Sequence, residues 1–273
     1  MKRNVRQMFK KEKNIIIGAI HFPPLLGYAG FPGLRVALRN ALADLSSLQK
    51  GGVDGIIIEN NYDVPHKAFV DPGVVACMTL LGKELRAATT LPLGISVLWN
   101  DYRTALSISK VLNLDFVRIP VFVDKVRTQY GVVEGNPRAV RSFQKSIQAE
   151  HVMLFTDIHV KHATLLSKYS LLESASLAIK GGADVLIVTG RWTGDAPRAD
   201  DLNVLREKLG GFPIFIGSGI NSKNVKGLFR FADGAIVSTS IKNGIAKRNE
   251  VNVKPYTSRI DFKKTELLVR AIK

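Results

Sequence analysis

Six residues, Asp157-Ile-His159-Val-Lys161-His162, gather a carboxylate, two imidazoles and an amine. Groups this close tune one another's proton affinity, which suits abstraction and return of a proton. If the segment is an extended strand end, the two-residue alternation puts Asp157, His159 and Lys161 on one side and His162 on the other. Three readings stay open. The cluster handles protons or contacts substrate, or it ligates a divalent metal with His21 and Glu59 arriving from other strands. The third is structural, with strand-end polar groups that hydrogen-bond one another. D-x-H-x-x-H is no specific metal spacing, so no cofactor is predicted beyond that open metal reading.

A second group of residues has the composition of an anion site. Gly217-Ser218-Gly219 leads through Asn221 into a helix expected from about Ser222, and Ser238-Thr239-Ser240 opens a short helical turn. Small residues free backbone N–H groups to face an anion, and helix starts add a positive dipole end. Tight turns alone also favour small residues, so the pattern is no proof. Thr189-Gly190 has the same character. Weaker candidates are Asn60 beside Glu59, and Asp101, which precedes a helix and serves equally well as its N-cap. Arg118 falls within an apolar run, where an unpaired guanidinium is costly, so it should pair with an acid such as Glu59 or Glu134.

Alternating apolar runs and amphipathic stretches must position these groups. Strands are expected at Ile15–Ile20, Gly55–Glu59, Leu93–Leu98, Phe116–Ile119, Val152–Asp157, Val185–Thr189, Ile214–Gly217 and Ala235–Ser238. Helices such as Leu34–Lys50, Gly73–Ala88, Tyr102–Leu112 and Pro137–Ala149 lie between them. Near-continuous Val/Ile/Leu strands are buried on both faces, as in a parallel sheet covered by helices. Eight such units predict an α/β fold, a single (β/α)8 TIM barrel, ahead of an open doubly wound sheet. An internal repeat supports closure. Lys50-Gly-Gly-Val-Asp54 recurs as Lys180-Gly-Gly-Ala-Asp184, Ile20-His21 as Ile158-His159, Pro92 as Pro213 and Asp115 as Asp233, in the same order. In a barrel, chemistry collects at the C-terminal strand ends, and phosphate often binds after the seventh and eighth strands. The two small-residue turns sit there.

Composition narrows the class. With 273 residues, 46% hydrophobic and 23% charged, the chain is an ordinary globular protein with no apolar run long enough to span a bilayer. A lone cysteine, Cys77, excludes an intramolecular disulfide framework and fits the cytoplasm or another reducing compartment. An organellar or membrane-peripheral place stays open, although the start lacks the Ser and Thr of a targeting peptide. The formal charge is +16, and most of the excess sits at the ends. Residues 1–13 carry six basic side chains against one acidic, and residues 242–273 nine against three. Residues 1–14 therefore read as a basic extension, a solubilising or docking arm, and 15–273 as the barrel. No nucleic-acid-reading motif accompanies the charge, so a nucleic-acid partner is not expected. A homo-oligomer is compatible with all of this.

Several motifs in order resemble one family. Gly18-Ala-Ile-His21-Phe-Pro-Pro24, Gly52 through Glu59-Asn60, Asp63-Val-Pro65, Gly131-Val-Val-Glu134-Gly135, Asp157 through His162-Ala163, Val188-Thr-Gly190 and Gly217-Ser-Gly219 are similar to the BtpA/SgcQ family, over about residues 15–245. The resemblance implies a barrel like the ribulose-phosphate-binding barrels, with a phosphorylated small molecule, sugar phosphate or nucleoside-like, at the strand ends. It also implies two alternatives for function: lyase or isomerase chemistry, or a non-catalytic stabilising factor of the photosystem I biogenesis kind. The latter would dock on a membrane or protein through basic ends. The sequence departs from the usual pattern at Ser238, where Gly is typical, and at Trp99, Pro120 and Gln129-Tyr130.

Overall fold

Residues 4–244 and 256–272 are described by a computed structural model. In chain order the elements begin α1 (Val5–Phe9), β1 (Ile15–His21), α2 (Leu34–Gly51), β2 (Gly55–Glu59), α3 (Pro72–Ala87), β3 (Leu93–Ser96), α4 (Tyr102–Leu112) and β4 (Phe116–Ile119). They continue with β5 (Lys125–Thr128), β6 (Gly131–Glu134), α5 (Pro137–Ser146), β7 (Met153–Ile158), β8 (Thr164–Leu165), α6 (Leu171–Lys180) and β9 (Val185–Val188). The last are α7 (Ala199–Leu209), β10 (Ile214–Ile216), α8 (Val225–Leu228), β11 (Gly234–Val237), a 3-10 turn (Thr239–Ile241) and α9 (Phe262–Arg270). The strands β1-β2-β3-β4-β7-β9-β10-β11 close into one parallel barrel. This is the expected (β/α)8 architecture, with strand positions as read from the apolar runs.

The repeat has a physical cause, and its period is shorter than the sequence suggested. Asp54 donates its backbone N–H to the Ile16 carbonyl at 2.8 Å while its carboxylate accepts the Ile16 N–H at 2.7 Å. Asp115 grips Leu93 in the same way (2.8 and 2.9 Å), Asp184 grips Leu154 (2.9 and 2.7 Å), and Asp233 grips Ile214 (2.8 and 2.9 Å). The aspartates precede β2, β4, β9 and β11, every second strand of the barrel, and each clasps the start of the barrel strand before it. The unit is thus two strands long and occurs four times. All four clasps lie at the N-terminal end of the barrel, opposite the candidate site.

Inside the barrel, apolar side chains fill the lower layers. Phe116 and Phe155 stack with ring centroids 4.4 Å apart, and Phe215 meets Phe155 edge-on at 5.5 Å. Gly94 makes room for this layer, because a Cβ there would lie 2.3 Å from the Phe116 ring. From below, Phe9 of α1 closes the barrel. Its ring lies 6.3 to 6.5 Å from Phe116, Phe155 and Phe215, and Val5 and Met8 are buried beside it. The described part of the basic N-terminal segment is therefore a plug and not a solvated arm. Three apolar residues at helical spacing outweigh the surrounding charge, while Lys10 and Lys13 stay exposed.

Two further features were not expected. β5, β6 and β8 form a small antiparallel sheet from the loops that follow β4 and β7. The helix expected from Ser222 starts only at Val225 and is one turn long, so it supplies little dipole to an anion. Among the described residues no helix is long and apolar enough to cross a membrane. The C-terminal basic stretch of residues 242–254 falls outside the described residues from position 245, as do residues 1–3 of the other basic end.

Candidate functional site

Above the phenylalanine layer the barrel interior turns polar. Arg118 of β4 is 7% exposed and spans two acids. Its Nε and Nη2 donate to both oxygens of Asp157 at 2.9 and 2.8 Å, and Nη1 donates to Glu59 Oε1 at 3.2 Å. The expected pairing with Glu59 is present. Glu134 is not part of it: β6 carries it outside the barrel, where it is exposed and 2.8 Å from Lys125 Nζ. Burial pushes the Asp157 carboxyl above its ordinary value, with Arg118 opposing. The bidentate geometry is that of a carboxylate held by a guanidinium, so Asp157 positions Arg118 and is not exposed to a ligand.

The register of β1 on β2 sets His21 beside Glu59. His21 Nε2 lies 3.4 Å from Glu59 Oε2, while Nδ1 faces Asn61 Nδ2 at 3.3 Å and Lys242 Nζ at 3.4 Å. Both of the latter are donors, so Nδ1 accepts and Nε2 carries the proton towards Glu59. Burial, reinforced by Lys242, holds His21 down at about 4. Burial alone would raise Glu59, but the His21 hydrogen bond and Arg118 outweigh it and hold this acid at about 2.

Lys161 completes the constellation. Burial, with Arg118 nearby, lowers its amine to about 8, and Nζ points at the Gly217 carbonyl, 3.4 Å away. At neutral pH a measurable fraction is therefore neutral, and the amine works in either direction of proton transfer.

His159 does not join Lys161. β7 ends at Ile158, and His159 takes a left-handed backbone (φ 50°), which breaks the alternation that would have aligned it. Its N–H donates to Asp124 Oδ2 at 3.0 Å, and its side chain lines a separate outer cleft. His162, also left-handed, bonds Thr193 Oγ1 at 2.8 Å. Among the described residues no three His, Cys, Asp or Glu side chains are placed to hold a metal ion.

A cavity of about 250 Å³ opens at the C-terminal strand ends. It is lined by His21, Glu59, Arg118 and Lys161 and by the turns Gly217–Asn221 and Ser238–Ser240. The hydroxyls of Ser238 and Ser240 are buried and find no hydrogen-bond partner among the described residues. Such groups are costly to keep unless something bonds them. Gly219 has φ 71°, and a Cβ there would lie 2.1 Å from the Ala196 backbone, so only glycine fits this turn.

Other candidates turn out to build the frame. Ser218 Oγ accepts the Gly190 N–H at 2.8 Å and donates to the Asp195 carbonyl at 2.7 Å, which locks the turn instead of offering a hydroxyl. Thr189 Oγ1 accepts the Lys161 N–H at 2.9 Å, and Thr189 and Gly190 face the outer cleft. Asn60 bonds both backbone groups of Leu98, and Asp101 caps α4 through the Thr104 N–H at 3.0 Å.

Sequence reasoning missed Asn61, Lys242 and His66. Lys242 was counted with the terminal charge, yet it is buried, lies 3.4 Å from His21 and is lowered to about 8 chiefly by burial. Its only signal was its place two residues after the Ser238–Ser240 turn. The unusual residues Trp99, Pro120, Gln129 and Tyr130 all line a smaller chamber next to the main cavity.

Comparison with known proteins adds to this geometry. The profile of the BtpA family matches residues 11–262. An uncharacterised protein of Pyrococcus horikoshii is 35% identical over 89% of this chain and 93% of its own length. The photosystem I biogenesis protein BtpA of Synechocystis is 36% identical over 84% of this chain and 80% of its own. Among solved structures, (S)-3-O-geranylgeranylglyceryl phosphate synthase from Thermoplasma acidophilum, in complex with substrate sn-glycerol-1-phosphate, superposes with a TM-score of 0.59. It is 13% identical, with 99% of each chain covered, and so speaks to the barrel fold alone.

Proposed function

The chain belongs to the BtpA family, and from that premise we propose that its barrel binds a phosphorylated small molecule at the C-terminal strand ends and moves protons on it, in chemistry of the lyase or isomerase type. One observation carries the reading. Ser238 and Ser240, which line the cavity, keep buried hydroxyls that find no hydrogen-bond partner among the described residues, and the same cavity is lined by Lys161, whose amine burial lowers to about 8. The hydroxyls of Ser238 and Ser240, with the turn at Gly217–Gly219, receive the phosphate. Lys161 takes and returns the proton. Arg118, held in place by Asp157 and Glu59, faces the same space and stabilises negative charge as it develops on the substrate. Glu59 and the neutral His21 orient hydroxyl groups of the ligand. The barrel of similar fold that holds sn-glycerol-1-phosphate is in keeping with such a ligand.

A second reading is a non-catalytic stabilising factor that docks through its basic ends. The name of the Synechocystis relative favours it. One experiment separates the two. Thermal melts with inorganic phosphate and a panel of sugar phosphates should show ligand-dependent stabilisation. Ser238→Ala or Ser240→Ala, each alone, should weaken it by about 10- to 100-fold in affinity, the worth of a hydrogen bond to a charged group. The melting temperature without ligand should stay put, because neither hydroxyl has a hydrogen-bond partner among the described residues. No stabilisation by any phosphate compound would favour the docking reading and overturn the first.

A further inference from the structure

Beside the main cavity lies a chamber of about 60 Å³. The two spaces share Glu59, Asn61, Arg118 and Lys161, so Lys161 stands at their junction. The chamber's own walls are largely apolar: Leu98, Trp99, Pro120, Tyr130 and Val160. Three polar residues interrupt them: Gln129, which bonds the Tyr130 hydroxyl, His162, which bonds Thr193 Oγ1, and His66 from the loop after β2. His66 is 5% exposed, and its ring meets Tyr130 edge-on at 5.3 Å. Neither Nδ1 nor Nε2 has a hydrogen-bond partner among the described residues.

A histidine with both nitrogens buried and unbonded is unusual, since buried polar groups are nearly always satisfied. Burial keeps the ring at about 4, hence neutral at physiological pH, with one N–H to donate and one nitrogen to accept. A neutral ring among apolar walls does not attract a second anion. Of the two cations at the junction, Arg118 is already bonded to Asp157 and Glu59, and Lys161 directs its Nζ towards the Gly217 carbonyl of the main cavity. Size narrows the ligand further. A benzene ring occupies an apolar cavity of about 150 Å³, so this chamber takes a group of a few heavy atoms and no aromatic base.

We infer that the chamber is a second subsite, which receives the uncharged hydroxyl- or carbonyl-bearing end of a short phosphorylated compound and bonds it through His66. The inference rests on the phosphate reading of the Ser238–Ser240 turn. It narrows the substrate class from sugar phosphates and nucleoside-like ligands to short, singly phosphorylated, hydroxylated carbon chains. Such a ligand would pass Lys161 between its two ends, which places a central carbon beside the amine.

Calorimetric titration of the full chain with inorganic phosphate, sn-glycerol 1-phosphate and adenosine monophosphate tests the subsite. The glycerol phosphate should bind more tightly than inorganic phosphate, by about 3- to 10-fold for one neutral hydrogen bond. His66→Leu should erase that preference and leave inorganic phosphate unchanged, which also shows that the variant is folded. His66→Gln keeps a hydrogen-bonding group and should retain part of the preference. A preference that survives His66→Leu overturns the subsite while the phosphate reading stands. Adenosine monophosphate binding as tightly as the glycerol phosphate overturns the size limit. If none of the three binds the unmodified protein, the phosphate reading itself fails and the subsite falls with it.

Discussion

Replacing Arg118 with Met should expose how the polar layer of the barrel is held. Met keeps most of the aliphatic stem but removes a guanidinium that makes three short bonds, two to Asp157 and one to Glu59. Glu59 retains its contact with His21 at 3.4 Å. Asp157 loses both of its side-chain bonds and is left as a buried charge. Breaking one partner out of a buried ion pair costs about 3–5 kcal/mol. The loss depends on pH, because Asp157 escapes by taking up a proton. Its carboxyl lies above the ordinary 3.8 even with Arg118 present, through burial, and removing the cation raises it further. In the variant the folded state then holds a proton that the unfolded state has released. The deficit is therefore largest at high pH. It shrinks by about 1.4 kcal/mol per pH unit as pH falls from the variant's folded value towards that of the unmodified protein, itself above 3.8. Urea denaturation followed by circular dichroism at pH 8 and pH 5 measures both effects. Adding Asp157→Asn to Arg118→Met should restore most of the loss at pH 8. A deficit below about 1 kcal/mol at pH 8, or one that does not change with pH, would refute the claim that Arg118 neutralises buried acids.

Lys161 should react with an amine-selective acylating reagent with a midpoint near pH 8, read by mass spectrometry, because burial and Arg118 lower its amine. A midpoint close to the ordinary 10.5 would contradict the buried placement. At the other end of the barrel, Phe9→Ala should cost about 3–5 kcal/mol in urea melts, as a buried ring is lost. Phosphate affinity should not change, and a loss below about 1 kcal/mol would mean that α1 does not seal the barrel.

The barrel was legible because its evidence is repeated. Eight apolar runs and the recurring Gly-Gly-x-Asp turns each point to the same architecture, and no single turn has to carry it. Strand order alone puts the two small-residue turns side by side, and both line the main cavity. Side-chain direction was harder to read. Alternation holds only while a strand persists, and β7 stops at Ile158, so the positive φ of His159 turned it away from Lys161. Glu134 was misplaced because nothing in its run of residues announces that β6 belongs to a second sheet. Lys242 and Phe9 were hidden by their neighbours: one buried lysine among many exposed ones, and one phenylalanine in a stretch dominated by charge. His66 had no local signal at all. Its meaning comes from what surrounds it in space, and those residues come from three different loops.

The four aspartate clasps divide labour between the two ends of the barrel. Alternate strand pairs around the barrel are fastened at the closed end by a carboxylate that takes no part in the cavity, so these fastenings do not depend on the loops at the open end. Selection can rewrite those loops, their lengths and their chemistry without unfastening a pair. The same arrangement offers an engineer natural seams: cuts for permuted or recombined chains belong between clasped pairs, before β3, β7 or β10, and not within one. A protein assembled in this way is a chassis, and what it does can drift while what it is stays constant.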